Sequence, residues 1–166
     1  MSDNWKKLEN YFNTSSEDLI RSTYRGVEKD HIYHYESRMN KLLSDQNIKI
    51  ILDLGCGDGR ILREFALKYP DKKFVGFDLS EKNIEMAKEK YSLDNISYIL
   101  GNAVNEFDLQ EKIDLVYSFS FIQYFNLENS KKLSNNINQI LNNKGFVVHM
   151  SIPDVKHNYN PIITSG

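Results

Sequence analysis

The stretch that most constrains the fold is Ile48-Lys49-Ile50-Ile51-Leu52-Asp53-Leu54-Gly55-Cys56-Gly57-Asp58-Gly59-Arg60. A run of isoleucine and leucine ends in three glycines at alternate positions, and Ile61, Leu62, Phe65, Ala66 and Tyr69 follow at once with helical spacing. That order reads as strand, tight loop, helix. Glycine is needed where the backbone turns sharply, takes a positive φ or lets a ligand lie directly on main-chain atoms. The loop therefore reads as a seat for a ligand.

What the loop lacks narrows the ligand. A dinucleotide fingerprint places its third glycine three residues after the second, and Arg60 occupies that place here. No Gly-Lys-Ser/Thr follows, as a phosphate loop of nucleotide hydrolases requires. Asp53 precedes the first glycine and Asp58 lies within the loop. Carboxylates there repel a pyrophosphate and suit a ligand with positive charge. S-adenosylmethionine carries a sulfonium and an ammonium and no phosphate.

The run Asp53-Leu54-Gly55-Cys56-Gly57-Asp58-Gly59 resembles the first motif of the class I, Rossmann-like S-adenosylmethionine-dependent methyltransferases, and the likeness continues in order to about Met150. The resemblance implies an α/β doubly wound, mostly parallel sheet in the order 3-2-1-4-5 with an N-terminal helical cap. It places Asp53, Gly55, Cys56 and Gly57 at the cofactor.

Composition sets outer bounds. A chain of 166 residues is of single-domain size. Its formal charge of −2 and the lack of a basic block argue against a nucleic-acid partner and favour a small-molecule or protein acceptor. The single cysteine, Cys56, excludes an internal disulfide and a cysteine-rich metal cluster and fits a reducing cytoplasm. It reads as a small loop residue rather than a nucleophile. No apolar run approaches the roughly 20 residues needed to span a bilayer. The expected location is the cytoplasm.

Residues 1–46 carry weak helical patterns: Trp5, Leu8, Tyr11 and Phe12; then Leu19, Ile20 and Tyr24; then a third from about Asp30 to Ser44. The family resemblance implies that such a segment closes over cofactor and substrate. Tyr24 and Tyr33 are candidate substrate contacts and His34 a candidate proton acceptor. Arg25, Arg38 and Arg60 compete for the methionine carboxylate.

Pro70 stops the first core helix. Lys73 to Asp78 reads as the second strand, with Asp78 19 residues after Gly59, where an acid in a nucleotide-binding unit accepts ribose hydroxyls. Leu79 would lie against the adenine, and Ser80 would cap the next helix. Ile96 to Leu100 is the third strand. The resemblance gives the Asn102 amide and the Ala103 N–H the adenine edge, where the family often has an acid in place of Asn102. A short helix is expected within 103–112.

The fourth strand, Ile113 to Ser118, leads to Gln123 and Tyr124, the polar side chains expected to face the acceptor, with Tyr124 also a candidate for proton transfer. By resemblance the Ser118 backbone meets the methionine part. Asn126 would cap a helix ending near Asn142 to Gly145, and Phe146 to Met150 is the fifth strand. His149 near its end reads either as a base for a hydroxyl acceptor or as a packed structural histidine.

The expected organisation is thus a helical cap over 1–46, a cofactor-binding core over 47–150 and a tail over 151–166. Sixteen residues beyond Met150 cannot supply the family's final hairpin, so the chain reads as a truncated form, or a minimal fold, or one whose fifth-strand edge is covered in a dimer. The expected activity is methyl transfer to a small-molecule acceptor, at oxygen. The alternatives are a cofactor-binding module without turnover and a methyltransferase acting on protein or RNA; a nicotinamide oxidoreductase is disfavoured by Arg60 and Asp53.

Overall fold

The computed structural model describes Lys6, Asn10, Asn13, residues 29–105 and residues 107–150, with side chains in the first continuous helix from Glu36 onward. Lys6, Asn10 and Asn13 are helical. The rest of the first two N-terminal patterns, Arg25 and the tail from Ser151 lie outside the described residues.

The elements run α1 (Lys29–Leu43), β1 (Ile50–Leu54), α2 (Arg60–Lys68), β2 (Lys73–Asp78), α3 (Glu81–Lys90), β3 (Ile96–Leu100), β4 (Ile113–Phe119), a 3-10 turn (Ile122–Tyr124), α4 (Leu127–Ile140) and β5 (Leu141–Met150). The five strands form one sheet in the order β3-β2-β1-β4-β5, and every neighbouring pair is parallel. This is the expected order. Among the described residues, no helix is long and apolar enough to cross a membrane.

Because side chains alternate across a strand, the two faces of the sheet build two cores. Ile51, Phe74, Leu115 and Tyr117 pack against Met39 and Leu43 of α1, Leu62, Phe65 and Ala66 of α2, and Ile84 and Ala87 of α3. Leu52, Leu54, Phe77 and Val116 pack on the opposite face against Leu133, Ile137 and Ile140 of α4. The caps read from the sequence are formed: the Ser80 side chain accepts from Asn83 N–H, and the Asn126 side chain accepts from Asn129 N–H.

Two local expectations are corrected. Helix α4 stops at Ile140, earlier than Asn142 to Gly145, because Leu141 already pairs with Ile113 and begins β5. The pairing then jumps from Ile113↔Leu141 to Leu115↔Phe146, so the strand is irregular between those pairs. The short helix expected within 103–112 is absent among the described residues. The Asn136 amide of α4 donates to Ala103 O at 3.1 Å and Asn105 O at 2.5 Å, so carbonyls that a helix would use are already satisfied.

At the amino edge of the sheet, the half-buried Asp114 and the buried Lys72 fasten the strands. Asp114 Oδ2 accepts from Lys49 N–H at 2.8 Å and Ile50 N–H at 2.9 Å, while its Oδ1 accepts from Asn142 Nδ2 at 2.5 Å. Burial alone would raise that carboxyl, and these hydrogen bonds outweigh it and hold the group below the usual range. Lys72, 2 % exposed, donates its ammonium to Asp45 O at 3.0 Å and Ile48 O at 2.6 Å, closing the turn between α1 and β1. Lys72→Met removes a charged donor from two carbonyls in a water-poor site and is expected to lower stability by roughly 2–4 kcal/mol. Urea denaturation of the variant against the parent measures this.

Candidate functional site

The loop between β1 and α2 is shaped by Gly55, Gly57 and Gly59, with φ of +76°, +56° and +79°. A side chain at two of these positions would meet a ring: a Cβ on Gly55 would lie 2.5 Å from Phe121, and one on Gly59 would lie 2.6 Å from the Tyr98 hydroxyl. Gly57 is different, because a Cβ there would meet nothing within 4 Å. The loop is thus packed at both ends and bare in the middle, which leaves main-chain atoms open to a ligand.

Main-chain and carboxylate bonds fix the loop to β2. Phe77 O accepts from Gly55 N–H at 2.7 Å and from Cys56 N–H at 3.2 Å. Asp78 Oδ2 accepts from Gly57 N–H at 2.9 Å, and Asp78 Oδ1 accepts from Ser80 N–H at 2.9 Å. Asp78 therefore joins the bare glycine to the start of α3, where its Oδ1 also accepts from Asn83 Nδ2 at 3.4 Å. Burial pushes this carboxyl up, against the pull of those backbone bonds.

Asp53 is not on the open face of the loop. It is 4 % exposed and accepts from the Tyr117 hydroxyl at 2.9 Å, its register partner on β4. Burial raises its carboxyl to about 8; the Tyr117 bond opposes that rise and the Asp78 charge adds to it. A cation arriving at the loop would favour its ionised form. Cys56 is buried, and burial with the charges of Asp78 and Asp53 pushes its thiol well above the ordinary value. It is a packed loop residue and a poor nucleophile at neutral pH.

The remaining candidates line the carboxyl edge. Leu79 is half-buried at the end of β2. Asn102 Oδ1 accepts from Val104 N–H at 3.1 Å, a local turn that leaves its amide NH2 and one lone pair for a purine edge. Ala103 is buried, tied to α4 through Asn136. Ser118, one residue before the end of β4, is buried, its Oγ 2.6 Å from His149 Nδ1 on β5. Gln123 and Tyr124 are exposed on the 3-10 turn where the chain leaves β4. Just before that turn Ser120 holds φ +51°, unusual for a residue with a Cβ, and donates its N–H to Met150 O at 2.7 Å.

The structure gathers Gly55, Cys56, Gly57 and Asp78 into one unit and pairs Ser118 with His149. Tyr24 lies outside the described residues, and so do the side chains of Tyr33 and His34. Of the rival arginines, Arg60 is bonded to Asp58 at 2.8 Å and Arg38 is exposed on α1. Sequence reasoning missed Tyr117, Phe121 and Tyr98, which shape the site from strands and a turn far along the chain. The alternation of β4 was the available signal for Tyr117.

The Asp53 carboxyl generates a pH dependence. Its folded pKa of about 8 lies above the ordinary 3.8, so folding takes up a proton. The stability this contributes is complete below about pH 4, is lost as pH rises toward 8 and is absent beyond it. Asp53→Asn removes that slope. Thermal melts from pH 5 to pH 9 are expected to show the parent losing ground to the variant up to about pH 8, by as much as roughly 1 kcal/mol per pH unit, and a constant difference above.

The comparisons with known proteins agree with this geometry. Residues 51–145 match the family model described as a methyltransferase domain. A malonyl-[acyl-carrier protein] O-methyltransferase of Priestia megaterium is 29 % identical over 123 residues, 74 % of this chain and 43 % of that protein, so the chain spans under half of that relative's length. The structure of PKMT2 from Rickettsia typhi with AdoHcy is 28 % identical, covers 61 % of this chain and 20 % of that one, and has a TM-score of 0.56. Magnesium protoporphyrin IX methyltransferase from Synechocystis PCC 6803, solved with bound SAH, shares the fold with a TM-score of 0.67 at 20 % identity, covering 84 % of this chain and 69 % of that one. A bare glycine on a loop with buried acids, joined by one carboxylate to the second strand, fits the adenosyl and methionine parts of the cofactor used by such proteins, and the chain belongs to the class I, Rossmann-like S-adenosylmethionine-dependent methyltransferases.

Proposed function

We propose that the protein transfers a methyl group from S-adenosylmethionine to an oxygen atom of a small or carrier-borne acceptor. The observation that carries this reading is the row of groups along the carboxyl edge of the sheet: the bare Gly57 main chain, the Asp78 carboxylate, the Asn102 amide and the buried end of β4 at Ser118. In doubly wound sheets ligands bind outside the strand ends where the order reverses, here between β1 and β4.

The bound cofactor supplies a methyl carbon made electrophilic by a positively charged sulfur. The residues of this chain contribute position and exclusion of water. Asp78 takes the ribose hydroxyls while it anchors the loop. Leu79 covers one face of the adenine, and Asn102 with the Ala103 N–H meets its edge. The Ser118 main chain borders the methionine part. Gln123 and Tyr124 stand at the mouth on the acceptor side, with His149, His34, Tyr24 and Tyr33 as further candidates there. The O-methyltransferase relative supports oxygen as the accepting atom. The charge of −2 with no basic block supports an acceptor other than nucleic acid, and the single cysteine supports a cytoplasmic setting.

Calorimetric titration with S-adenosylmethionine, S-adenosylhomocysteine and NADH tests the reading. Saturable binding of both adenosyl compounds and none of NADH is expected. Gly57→Ala, which puts a methyl group into the open space above the loop, is expected to weaken S-adenosylhomocysteine by at least about tenfold, ~1.4 kcal/mol. A folded chain that binds NADH and neither adenosyl compound would sink the proposal.

A further inference from the structure

The strand order places the sulfur of the proposed cofactor. Asp78, proposed to take the ribose, ends β2, and Ser118, proposed to border the methionine part, lies near the end of β4. Strand β1 runs between these two strands. Neighbouring strands stand about 4.8 Å apart, so the two seats are separated by about 10 Å. In S-adenosylmethionine the sulfur is the atom that joins the ribose to the methionine chain. A molecule held at both ends of that span carries its sulfonium over the middle strand, above the exit of β1 at Gly55.

An aromatic ring lies at that exit. The three heavy atoms nearest to a Cβ on Gly55 all belong to Phe121, its Cδ2 at 2.5 Å, Cγ at 3.1 Å and Cε2 at 3.2 Å. The ring is thus laid against the first glycine of the loop. Its backbone is held from both sides: Ser120 before it takes φ +51° and donates its N–H to Met150 O at 2.7 Å, and Phe121 O accepts from Tyr124 N–H at 3.2 Å. Phe125 meets the ring in an edge contact, with centroids 4.8 Å apart and planes at 62°. Phe121 packs against the core that α4 covers yet stays half-buried, whereas Phe77 and Tyr117 beside the loop are buried. Part of the residue therefore remains open at the carboxyl edge.

We infer that the Phe121 ring reads the positive charge of the sulfonium and so sets the preference for S-adenosylmethionine over S-adenosylhomocysteine. The inference rests on the methyl-transfer reading above. The face of an aromatic ring carries negative partial charge and attracts a cation within about 6 Å of its centre, most strongly where water is excluded. Asp53 and Asp78 also favour positive charge here, but their oxygens are already bonded to Tyr117, Gly57 and Ser80. The ring has no polar atom, so beyond shape the charge on sulfur is the property it distinguishes. On transfer the bond from sulfur to the methyl carbon breaks, the bonding pair stays on sulfur and the positive charge is gone. The contact then falls to ordinary dispersion, which loosens the hold on the product.

Calorimetric binding of the two adenosyl compounds to the full chain, with no acceptor present, tests this. Phe121 is replaced site-specifically by mono-, di- and trifluorinated phenylalanine, which nearly keep its shape and drain the negative charge of its face step by step. S-adenosylmethionine affinity is expected to fall with each added fluorine, by about fivefold over the series, while S-adenosylhomocysteine stays within about twofold. Phe121→Leu is expected to lose the preference to the same extent as the trifluorinated ring. If that variant fails to fold, the fluorinated series decides alone. A parallel loss of both ligands along the series, or a ratio of affinities that fluorine does not move, assigns the ring to packing and overturns the inference. A folded parent that binds neither adenosyl compound strikes the methyl-transfer reading instead, while a parent that binds both with no fluorine dependence strikes this inference alone.

Discussion

The site depends on one carboxylate holding two backbone amides. Asp78 takes the N–H of Gly57 from one βα unit and the N–H of Ser80 from the next. Without that bridge, a loop with three left-handed glycines would have many conformations within reach, since glycine gives up more backbone freedom on ordering than any other residue. The bridge is reinforced by Phe77 O, which takes two further loop amides. The same bonds that order the loop hold the Asp78 carboxylate beside Gly57, so the side chain proposed to take the ribose is also the one that preorganises the loop.

Beneath the loop the electrostatics run the other way from the surface. Asp53 is buried, with Phe65 and Tyr117 in edge contact nearby, and the Tyr117 hydroxyl that donates to it is neutral. A charge buried there is expensive without a partner. A positively charged ligand lying on the loop is such a partner, which gives the acid at that position a physical reason to discriminate by charge while remaining out of contact with solvent.

Most of the fold was legible because its signals are local. Glycines at alternate positions, Pro70 after a helix, Ser80 and Asn126 ahead of helices, and short apolar runs each act within a few residues, and together they predicted the strand order through the family resemblance. The misreadings lie where distant residues decide. Whether Leu141 ends a helix or starts a strand is settled by Ile113, and whether the chain after Ala103 coils is settled by Asn136. The site divides in the same way. Gly57 and Asp78 announce themselves by type and spacing, but the Asp53–Tyr117 and Ser118–His149 pairs join positions 64 and 31 residues apart, and no periodicity marks such partners in advance.

The amino edge of the sheet has its own consequence. Asp114 on β4 ties the entry of β1 and the entry of β5, and Lys72 closes the turn that feeds β1. All three fastenings sit at the end of the molecule away from the ligand, and none borrows a residue from the carboxyl-edge loops. Insertions or replacements in those loops leave the frame's fastenings intact. The architecture thus separates what must persist from what can drift, and one scaffold can be retuned to new acceptors across descent without being rebuilt.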